Sequence, residues 1–241
     1  MRTTAVALLA LALAAGAGCG TRSDAPAPPA ATPTAPPAAT TGTPPSAAPA
    51  AAPSPSTRPR IVALGDSLTA GLGLSTAQAY PALLQARLND AGLDYEVVNA
   101  GVSGDTSAGG LERLDWALQG NVKILIVALG GNDALRGLPA DALKANLSHI
   151  IERAQARNVR VVLAGMEAPP NYGRDYIVSF HRVYPELAAR YKVAFVPFLL
   201  QNVAGLTDLN QSDGIHPTPA GARIVADNVW AVLKPLAEDA H

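Results

Sequence analysis

The stretch Ile61-Val62-Ala63-Leu64-Gly65-Asp66-Ser67-Leu68-Thr69 joins a run of apolar residues to a Gly-Asp-Ser sequence. Its four leading apolar residues are typical of a buried strand, and the glycine and aspartate that follow end that strand. Ser67 is therefore expected at the carboxyl end of the strand, where open α/β sheets bind their ligands. The alternative is that Asp66 or Ser67 only caps a following helix. This stretch by itself leaves both interpretations open.

Outward from this stretch, apolar strands alternate with amphipathic helices. The predicted strands are 61–64, 95–101, 122–129, 159–165 and 192–198, and the predicted helices are 80–91, 107–118, 139–157, 172–191 and 218–236. The run at 122–129 is the most apolar and is expected at the centre of a sheet. The run at 192–198 contains Pro197, which cannot donate to a ladder, and is expected at an edge. This alternation predicts an α/β fold: one domain with a parallel, doubly wound sheet of five strands, covered by helices on both faces.

The overall composition excludes several classes of protein. The chain has 241 residues, a formal net charge of −1 and one cysteine. A nucleic-acid-binding surface needs a basic face, so a nucleic-acid partner is not expected. A single cysteine excludes an intramolecular disulfide and a metal site built from several cysteines.

Residues 1–19 resemble a bacterial lipoprotein signal. Arg2 precedes an unbroken Ala/Leu/Val run from Ala5 to Ala15, which is too short to span a bilayer. Cys19 follows small residues at the expected cleavage point. The resemblance implies export to the periplasm or cell envelope and a membrane anchor through a lipidated Cys19. Gly16 departs from the pattern, which has a larger aliphatic residue there, so ordinary signal cleavage that releases a soluble exported protein is the alternative.

Residues 20–59 are predicted to be a disordered tether. They hold 12 of the 21 prolines of the chain and contain no Leu, Ile, Val, Phe, Tyr or Trp. Such a segment cannot bury enough apolar surface to offset the entropy lost on ordering. In polyproline geometry its upper reach is on the order of 120 Å. The predicted folded domain therefore spans residues 60–241.

The predicted carboxyl edge of the sheet collects the parts of an acyl-transfer site. Such a site needs a nucleophile, a base, a group that orients the base and donors for an oxyanion. Ser67 is the candidate nucleophile and His216 the candidate base, with Asp213 three residues earlier to orient the imidazole. The candidate oxyanion donors are the backbone N–H groups of Ser67 and Gly104 and the side-chain amide of Asn132.

The other polar residues at these junctions have plainer interpretations. Asp66 and Asp133 are predicted to hydrogen-bond loop backbone and to brace Ser67 and Asn132, rather than to act as second bases. Asp105 is predicted to cap the helix that follows it.

Apolar residues that border the predicted site are candidates for the wall of an acyl or aryl pocket. They are Leu135, Leu138, Met166, Pro169 and Pro170. The alternative is that they only pack the loops in which they lie.

Four blocks of the sequence resemble the conserved blocks of the GDSL, or SGNH, hydrolase family. They are Gly65-Asp66-Ser67-Leu68, Gly104, Gly130-Gly131-Asn132-Asp133 and Asp213-Gly214-Ile215-His216-Pro217. Their order and spacing agree over about residues 60–236. Three further stretches, at 103–107, 131–137 and 170–173, resemble the bacterial branch that contains acyl-CoA thioesterase I, which also acts as lysophospholipase and arylesterase.

The resemblance implies a three-layer α/β/α sandwich with a flavodoxin-like parallel sheet of five strands. It implies that Ser67 attacks the acyl carbonyl, that His216 moves the proton, that Asp213 orients His216, and that Ser67, Gly104 and Asn132 hold the oxyanion. An acyl-enzyme forms, and no metal or organic cofactor is required. The expected substrates are small carboxylic esters, thioesters or lipids, such as aryl esters, acyl thioesters and lysophospholipids, and a monomer is expected. The alternatives are an acetylesterase acting on cell-envelope carbohydrate and a non-catalytic, acyl-binding surface lipoprotein.

Overall fold

The computed structural model of the protein describes residues 58–239. The predicted signal at residues 1–19, and all but the last two residues of the predicted tether at 20–59, lie outside the described residues. Arg58 and Pro59 lead directly into the first strand. Among the described residues, no helix combines the length and the apolar composition that crossing a membrane requires.

The five strands found in residues 58–239 form one parallel sheet, in the order β2-β1-β3-β4-β5. They are β1 (Arg60–Gly65), β2 (Glu96–Gly101), β3 (Val122–Ala128), β4 (Arg160–Ala164) and β5 (Ala194–Val196). The predicted parallel sheet is confirmed, with β3 at the centre and β5 at an edge. Strand β5 is shorter than predicted because Lys192 adopts a left-handed conformation (φ 53°) that ends the preceding helix.

The central strand of the sheet is apolar and buried along nearly its whole length. Every residue of β3 except Lys123 is buried, and Ile124, Leu125 and Ile126 are completely inaccessible to water. A strand buried on both faces needs such a continuous apolar run. Each of these side chains contributes about 1.5–3 kcal/mol through its removal from water.

Helices cover both faces of the sheet. They are α1 (Ser67–Ala70), α2 (Tyr80–Asp90), α3 (Ser107–Glu112), α4 (Leu114–Ala117), α5 (Gly131–Leu135), α6 (Ala140–Gln155), α7 (Arg174–Tyr191) and α8 (Pro219–Glu238). Helix α2 packs against α8, whereas α6 packs against α3 and α7. The three-layer α/β/α arrangement is therefore confirmed.

Two local features differ from the sequence prediction. The single helix predicted over 107–118 is divided into α3 and α4 at Arg113, whose ψ of 7° interrupts the regular helical path. Two short helices that the periodicity does not indicate, α1 and α5, directly follow β1 and β3. Both are too short for an apolar period to reveal.

The parallel sheet gives the molecule two distinct edges. The carboxyl edge is where the strands end, and it receives α1, the loop that contains Gly104, α5 and the long loop at 197–218. The amino edge is where the strands begin. All the polar junctions of the predicted site therefore meet at the carboxyl edge, although they are far apart in sequence.

Candidate active site

Ser67 begins α1, immediately beyond the end of β1. The helix is capped by Asp66, whose Oδ1 accepts a hydrogen bond from the Leu68 N–H at 3.0 Å. The Ser67 hydroxyl is therefore not needed as a cap. Its Oγ lies instead 2.8 Å from Nε2 of His216, 149 residues further along the chain. The structure thus separates the two interpretations left open by the sequence: Asp66 is the cap, and Ser67 faces a histidine.

Gly65 allows this tight junction between strand and helix. A Cβ atom at Gly65 would collide with the side chain of Thr69 and with the carbonyl oxygen of Ala128. Because Ala128 belongs to the neighbouring strand β3, it has no freedom to move away. Only glycine lets the chain turn from β1 into α1 while Ser67 remains at the strand tip.

His216 and Asp213 lie in the loop that precedes α8. Nδ1 of His216 is 2.7 Å from Oδ2 of Asp213. The other oxygen, Oδ1, accepts hydrogen bonds from the backbone N–H groups of Ile215 and His216, at 2.9 and 3.0 Å. The three-residue spacing therefore forms a turn that Asp213 holds together and that aims the imidazole at Ser67.

Hydrogen bonding also sets the charge of Asp213. The backbone N–H groups of His216 and Ile215, followed by the imidazole, lower the pKa of Asp213 from 3.8 to about 2. All of these donors favour the ionised carboxylate. Asp213 is therefore an anion throughout the neutral range, as a group that stabilises a protonated imidazole must be.

Asn132 lies in α5, whose start is shaped by Gly130. Gly130 has a φ of +115°, a conformation that an L side chain rarely adopts, and a Cβ there would collide with the Tyr184 hydroxyl. The side-chain amide of Asn132 donates to Oδ2 of Asp66 at 3.3 Å. Asp66 therefore touches both the start of α1 and the amide group proposed for the oxyanion, as predicted for a bracing carboxylate.

Burial changes the ionisation of Asp66. Its side chain is only 2% exposed, and loss of hydration raises its pKa from 3.8 to about 6, against the lowering effect of its donors Leu68 and Asn132. Asp66 and Asp213 thus lie in the same site with pKa values moved in opposite directions, one by burial and the other by hydrogen bonds.

The Gly104 loop and the start of α3 are each tied to the segment 131–136, which contains α5 and its C-cap. Arg136 Nη2 donates to the Gly104 carbonyl oxygen at 2.8 Å. The N–H and hydroxyl of Ser107 bind the two carboxylate oxygens of Asp133, at 2.8 and 2.5 Å. Asp133 therefore braces the start of α3 rather than Ser67. Gly104 itself is exposed and has a φ of +87°, which favours glycine.

A cavity of about 540 Å³ opens beside Ser67 and His216. Its apolar lining includes Leu135, Met166, Pro169, Pro170, Phe198 and Ile215. Four of the five predicted wall residues therefore line it. Leu138 does not: it lies outside the cavity lining, and its carbonyl oxygen accepts a hydrogen bond from the Tyr176 hydroxyl at 2.8 Å. That prediction is corrected: the turn after α5 brings the backbone of residue 138 to Tyr176 of α7.

Arg113 is the polar residue of this edge that sequence reasoning missed. Its guanidinium binds Asp105 as well as the carbonyl oxygens of Gly65 and Ala100. Asp105 is therefore an ion-pair partner, and the cap of α3 is Thr106, whose hydroxyl accepts from the Gly109 N–H. The sequence holds one signal for the pair, an acidic residue eight positions before a basic one. That spacing does not place the two side chains together in a regular helix.

Residues 58–239 contain no group of three or more His, Cys, Asp and Glu side chains that could hold a metal ion. What the site does assemble is a hydroxyl, an imidazole and a carboxylate in one hydrogen-bonded line, next to an amide donor and an apolar cavity. This arrangement can activate a serine and receive a small acyl group.

Comparison with known proteins agrees with this chemistry. The sequence model of the GDSL-like Lipase/Acylhydrolase family matches residues 63–224. Esterase TesA of Pseudomonas aeruginosa is 49% identical over 177 residues, which cover 73% of this chain and 88% of that protein. Thioesterase 1/protease 1/lysophospholipase L1 of Escherichia coli is 38% identical over 177 residues, covering 73% of this chain and 84% of the relative.

A solved structure shows the same likeness in three dimensions. The crystal structure of the psychrotrophic esterase EstA from Pseudoalteromonas, inhibited by monoethylphosphonate, superposes with a TM-score of 0.70. It is 32% identical in sequence, and the match covers 74% of this chain and 98% of that one.

Proposed function

Because the chain belongs to the GDSL-like lipase/acylhydrolase family, we propose that it hydrolyses esters of apolar acyl groups with Ser67 as the nucleophile. The general class is that of a carboxylic ester hydrolase. The identity of the catalytic residues, the acyl preference and the cellular location are the new parts of the proposal.

One observation supports the choice of residues above all others. His216 joins Ser67 to Asp213 by two hydrogen-bond contacts, Nε2 to Ser67 Oγ at 2.8 Å and Nδ1 to Asp213 Oδ2 at 2.7 Å. With Nδ1 protonated towards the carboxylate, the lone pair of Nε2 faces the Ser67 hydroxyl. This is the geometry that a general base needs to take the proton of a serine nucleophile.

The first half of the proposed reaction forms an acyl-enzyme. Ser67 Oγ attacks the acyl carbonyl carbon while its proton passes to His216 Nε2, and Asp213 stabilises the imidazolium. The carbonyl oxygen becomes an oxyanion that accepts hydrogen bonds from the N–H groups of Ser67 and Gly104 and from the Asn132 amide. Collapse of the intermediate breaks the bond to the leaving alcohol or thiol, which takes the proton from His216.

The second half reverses the roles. Water attacks the acyl-enzyme carbonyl and gives its proton to His216, and the same donors hold the second oxyanion. When that intermediate collapses, the carboxylic acid leaves and Ser67 recovers its proton from His216. Each oxyanion donor is expected to contribute about 3–4 kcal/mol of transition-state stabilisation.

The cavity supports an apolar acyl or aryl group rather than a sugar. Its volume of about 540 Å³ lies within the range of small-molecule sites, and its wall is formed mainly by the apolar side chains named above. A carbohydrate would need several polar partners along that wall to replace its lost hydration. This favours aryl esters, acyl thioesters or lysophospholipids over acetylated envelope carbohydrate. One relative, thioesterase 1/protease 1/lysophospholipase L1, is named for two of these activities.

The proposal also includes export and anchoring. Residues 1–19 support an export signal, and lipidation of Cys19 would attach the enzyme to a membrane through the tether at 20–59. A Cys19→Ser variant of the full chain, expressed in a bacterium that processes lipoproteins, tests the anchor. The wild type is expected in the detergent phase after Triton X-114 partition and the variant in the aqueous phase.

The decisive experiment on the reaction compares the wild type with Ser67→Ala. The wild type is expected to hydrolyse p-nitrophenyl esters and to be labelled at Ser67 by a fluorophosphonate, and the variant to do neither while keeping its circular-dichroism spectrum. A series of p-nitrophenyl esters from acetate to decanoate is expected to peak beyond acetate. A peak at acetate would favour the acetylesterase, and absence of both turnover and labelling in the wild type would leave only acyl binding.

A further inference from the structure

Arg113 connects the segment that carries the proposed nucleophile with the segment that carries the glycine donor. Its guanidinium reaches three acceptors at once. Nε donates to Oδ2 of Asp105 at 2.6 Å, Nη1 to the Ala100 carbonyl at 2.6 Å and Nη2 to the Gly65 carbonyl at 2.8 Å. The side chains of Arg113 and Asp105 are each only 18% exposed, so water competes weakly for these hydrogen bonds.

The three acceptors lie within four residues, along the chain, of Ser67 or Gly104, which the proposed reaction uses. Gly65 stands two positions before Ser67 and ends β1. Asp105 directly follows Gly104. Ala100 is the penultimate residue of β2, which ends at residue 101, shortly before Gly104. One side chain therefore joins the end of β1, the end of β2 and the loop between β2 and α3.

The division of the predicted helix at Arg113 explains how the side chain reaches these atoms. Arg113 lies between the two helices, as the C-cap of α3 and the N-cap of α4, with φ −96° and ψ 7°. The start of α3 is itself fixed, because Ser107 binds the buried carboxylate of Asp133. The guanidinium is thus presented from an anchored helix rather than from a free loop.

The backbone alone gives the Gly104 loop few other ties to β1. The Val102 N–H donates to the Gly65 carbonyl at 3.0 Å, whereas the bond from the Asp105 N–H to the Val102 carbonyl, at 3.1 Å, lies within the loop. Gly104 is exposed, and the contact from Arg136 to its carbonyl is exposed as well. The direction of the Gly104 N–H relative to Ser67 therefore depends on what holds its neighbour Asp105.

We propose that Arg113 is a positioning residue that keeps the Gly104 N–H aligned with Ser67 for binding of the oxyanion. The inference rests on the proposed reaction at Ser67. A guanidinium is a planar fork with donors in fixed directions, so it holds three acceptors in one relative geometry. A lysine ammonium in its place keeps the charge near Asp105 but does not reproduce that fork.

The test compares Arg113 with Arg60, which spans the same two strands at the amino edge. Arg60 Nε donates to Oε2 of Glu96 at 2.9 Å, and the two side chains are 26% and 33% exposed. Lys and Met variants of both arginines are made in the full chain. The measurements are kcat and KM for p-nitrophenyl butyrate, the rate of Ser67 labelling by a fluorophosphonate and the melting temperature.

Arg113→Met is expected to lower kcat and the labelling rate by roughly 10- to 100-fold while KM changes by less than about threefold, because the oxyanion is stabilised only in the transition state. Arg113→Lys is expected to fall between Arg113→Met and the wild type. The Arg60 variants are expected to lower the melting temperature with kcat unchanged.

Two results would overturn the inference. One is a folded Arg113→Met variant with the kcat and labelling rate of the wild type. The other is an equal loss of kcat in Arg60→Met and Arg113→Met. If Arg113→Met does not fold, Arg113→Lys and Asp105→Asn replace it in the test. A lower kcat with KM nearly unchanged in these variants supports the inference, and a wild-type kcat overturns it. A wild type that neither turns over nor labels would instead contradict the proposed reaction itself.

Discussion

The two edges of the sheet differ in what they bury. At the amino edge, β1 begins with Arg60, which forms a partly exposed ion pair with Glu96. At the carboxyl edge, the same strand runs into Asp66, which is only 2% exposed. Within residues 58–239 the buried Asp, Asn, Ser and Thr side chains all follow the carboxyl ends of strands: Asp66, Thr69, Ser107, Asp133 and Asn210.

The buried polar groups of the carboxyl edge reduce stability where the chemistry of the site requires them. A buried polar group costs free energy unless it is hydrogen-bonded, and most of these groups are paired. Thr69 bonds the Tyr80 hydroxyl, and Ser107 bonds Asp133. Oδ1 of Asn210, in contrast, is buried without a partner among the described residues. Changes at the carboxyl edge should therefore affect activity first, and changes at the amino edge stability first.

The largest effect is expected from His216→Ala. Without the base, kcat for p-nitrophenyl butyrate should fall by roughly 10⁵- to 10⁶-fold, as when a serine hydrolase loses its histidine. His181→Ala is the matched control, since His181 Nδ1 also lies 2.7 Å from a carboxylate, that of Glu167, but His181 has no hydrogen bond to a serine within residues 58–239. A comparable loss of kcat in His181→Ala and His216→Ala would contradict the assignment of His216 as the base.

The next effect is expected from Asn132→Ala. Loss of one oxyanion donor should lower kcat by roughly 10²- to 10³-fold with little change in KM. Asn228→Ala is the control, because the Asn228 amide donates to the carbonyl oxygens of Leu199 and Gln201 and braces structure only. If KM rises in Asn132→Ala while kcat stays unchanged, Asn132 binds the substrate in the ground state rather than the oxyanion.

At the amino edge, Ile61→Ala should affect stability alone. Ile61 is the second residue of β1 and is completely buried. Its truncation leaves a cavity and should reduce the free energy of unfolding by about 3 kcal/mol, within a range of 2–5 kcal/mol. Urea titration measures that loss, and kcat well below the transition should equal that of the wild type. A parallel loss of kcat would show that the two edges are coupled through β1.

The sequence predicts the structure best where apolar residues recur at the spacing of a strand or of a helix. The apolar run of β3 predicts a central strand, and the positions Leu143, Leu147, Ile150 and Ile151 predict the buried face of α6. These predictions are confirmed, because burial of a strand or of a helix face depends mainly on the local pattern.

The functional edge is less predictable because its contacts depend on the direction of individual side chains. The three-residue spacing of Asp213 and His216 is enough to predict their contact. The spacing of Leu135 and Leu138 is the same, yet only Leu135 lines the cavity. The role of Arg113 depends on a break between two helices that the periodicity does not show. Tertiary packing decides such cases.

The smallest effect concerns the pH dependence of stability, and it comes from the two carboxylates of the carboxyl edge. Burial raises the pKa of Asp66 to about 6, above its ordinary value of 3.8, so the folded state binds more protons than the unfolded chain between those values. The contribution of Asp66 is therefore fully present below pH 3.8 and is lost as the pH rises through 6. Asp213, with its pKa lowered to about 2, contributes stability above pH 3.8 that is lost as the pH falls towards 2.

The two carboxylates can be separated by measuring unfolding in urea at pH 5 and at pH 7. Relative to the wild type, Asp66→Asn should lose about 1 kcal/mol of stability more at pH 5 than at pH 7, because only the wild type gains from protonation there. Asp213 is ionised at both pH values, so its own titration contributes nothing to that difference. If Asp66→Asn runs parallel to the wild type, burial has not raised the pKa of Asp66. The carboxyl edge would then hold an ionised Asp66 beside Asn132, and the contrast in buried charge between the two edges would be larger still.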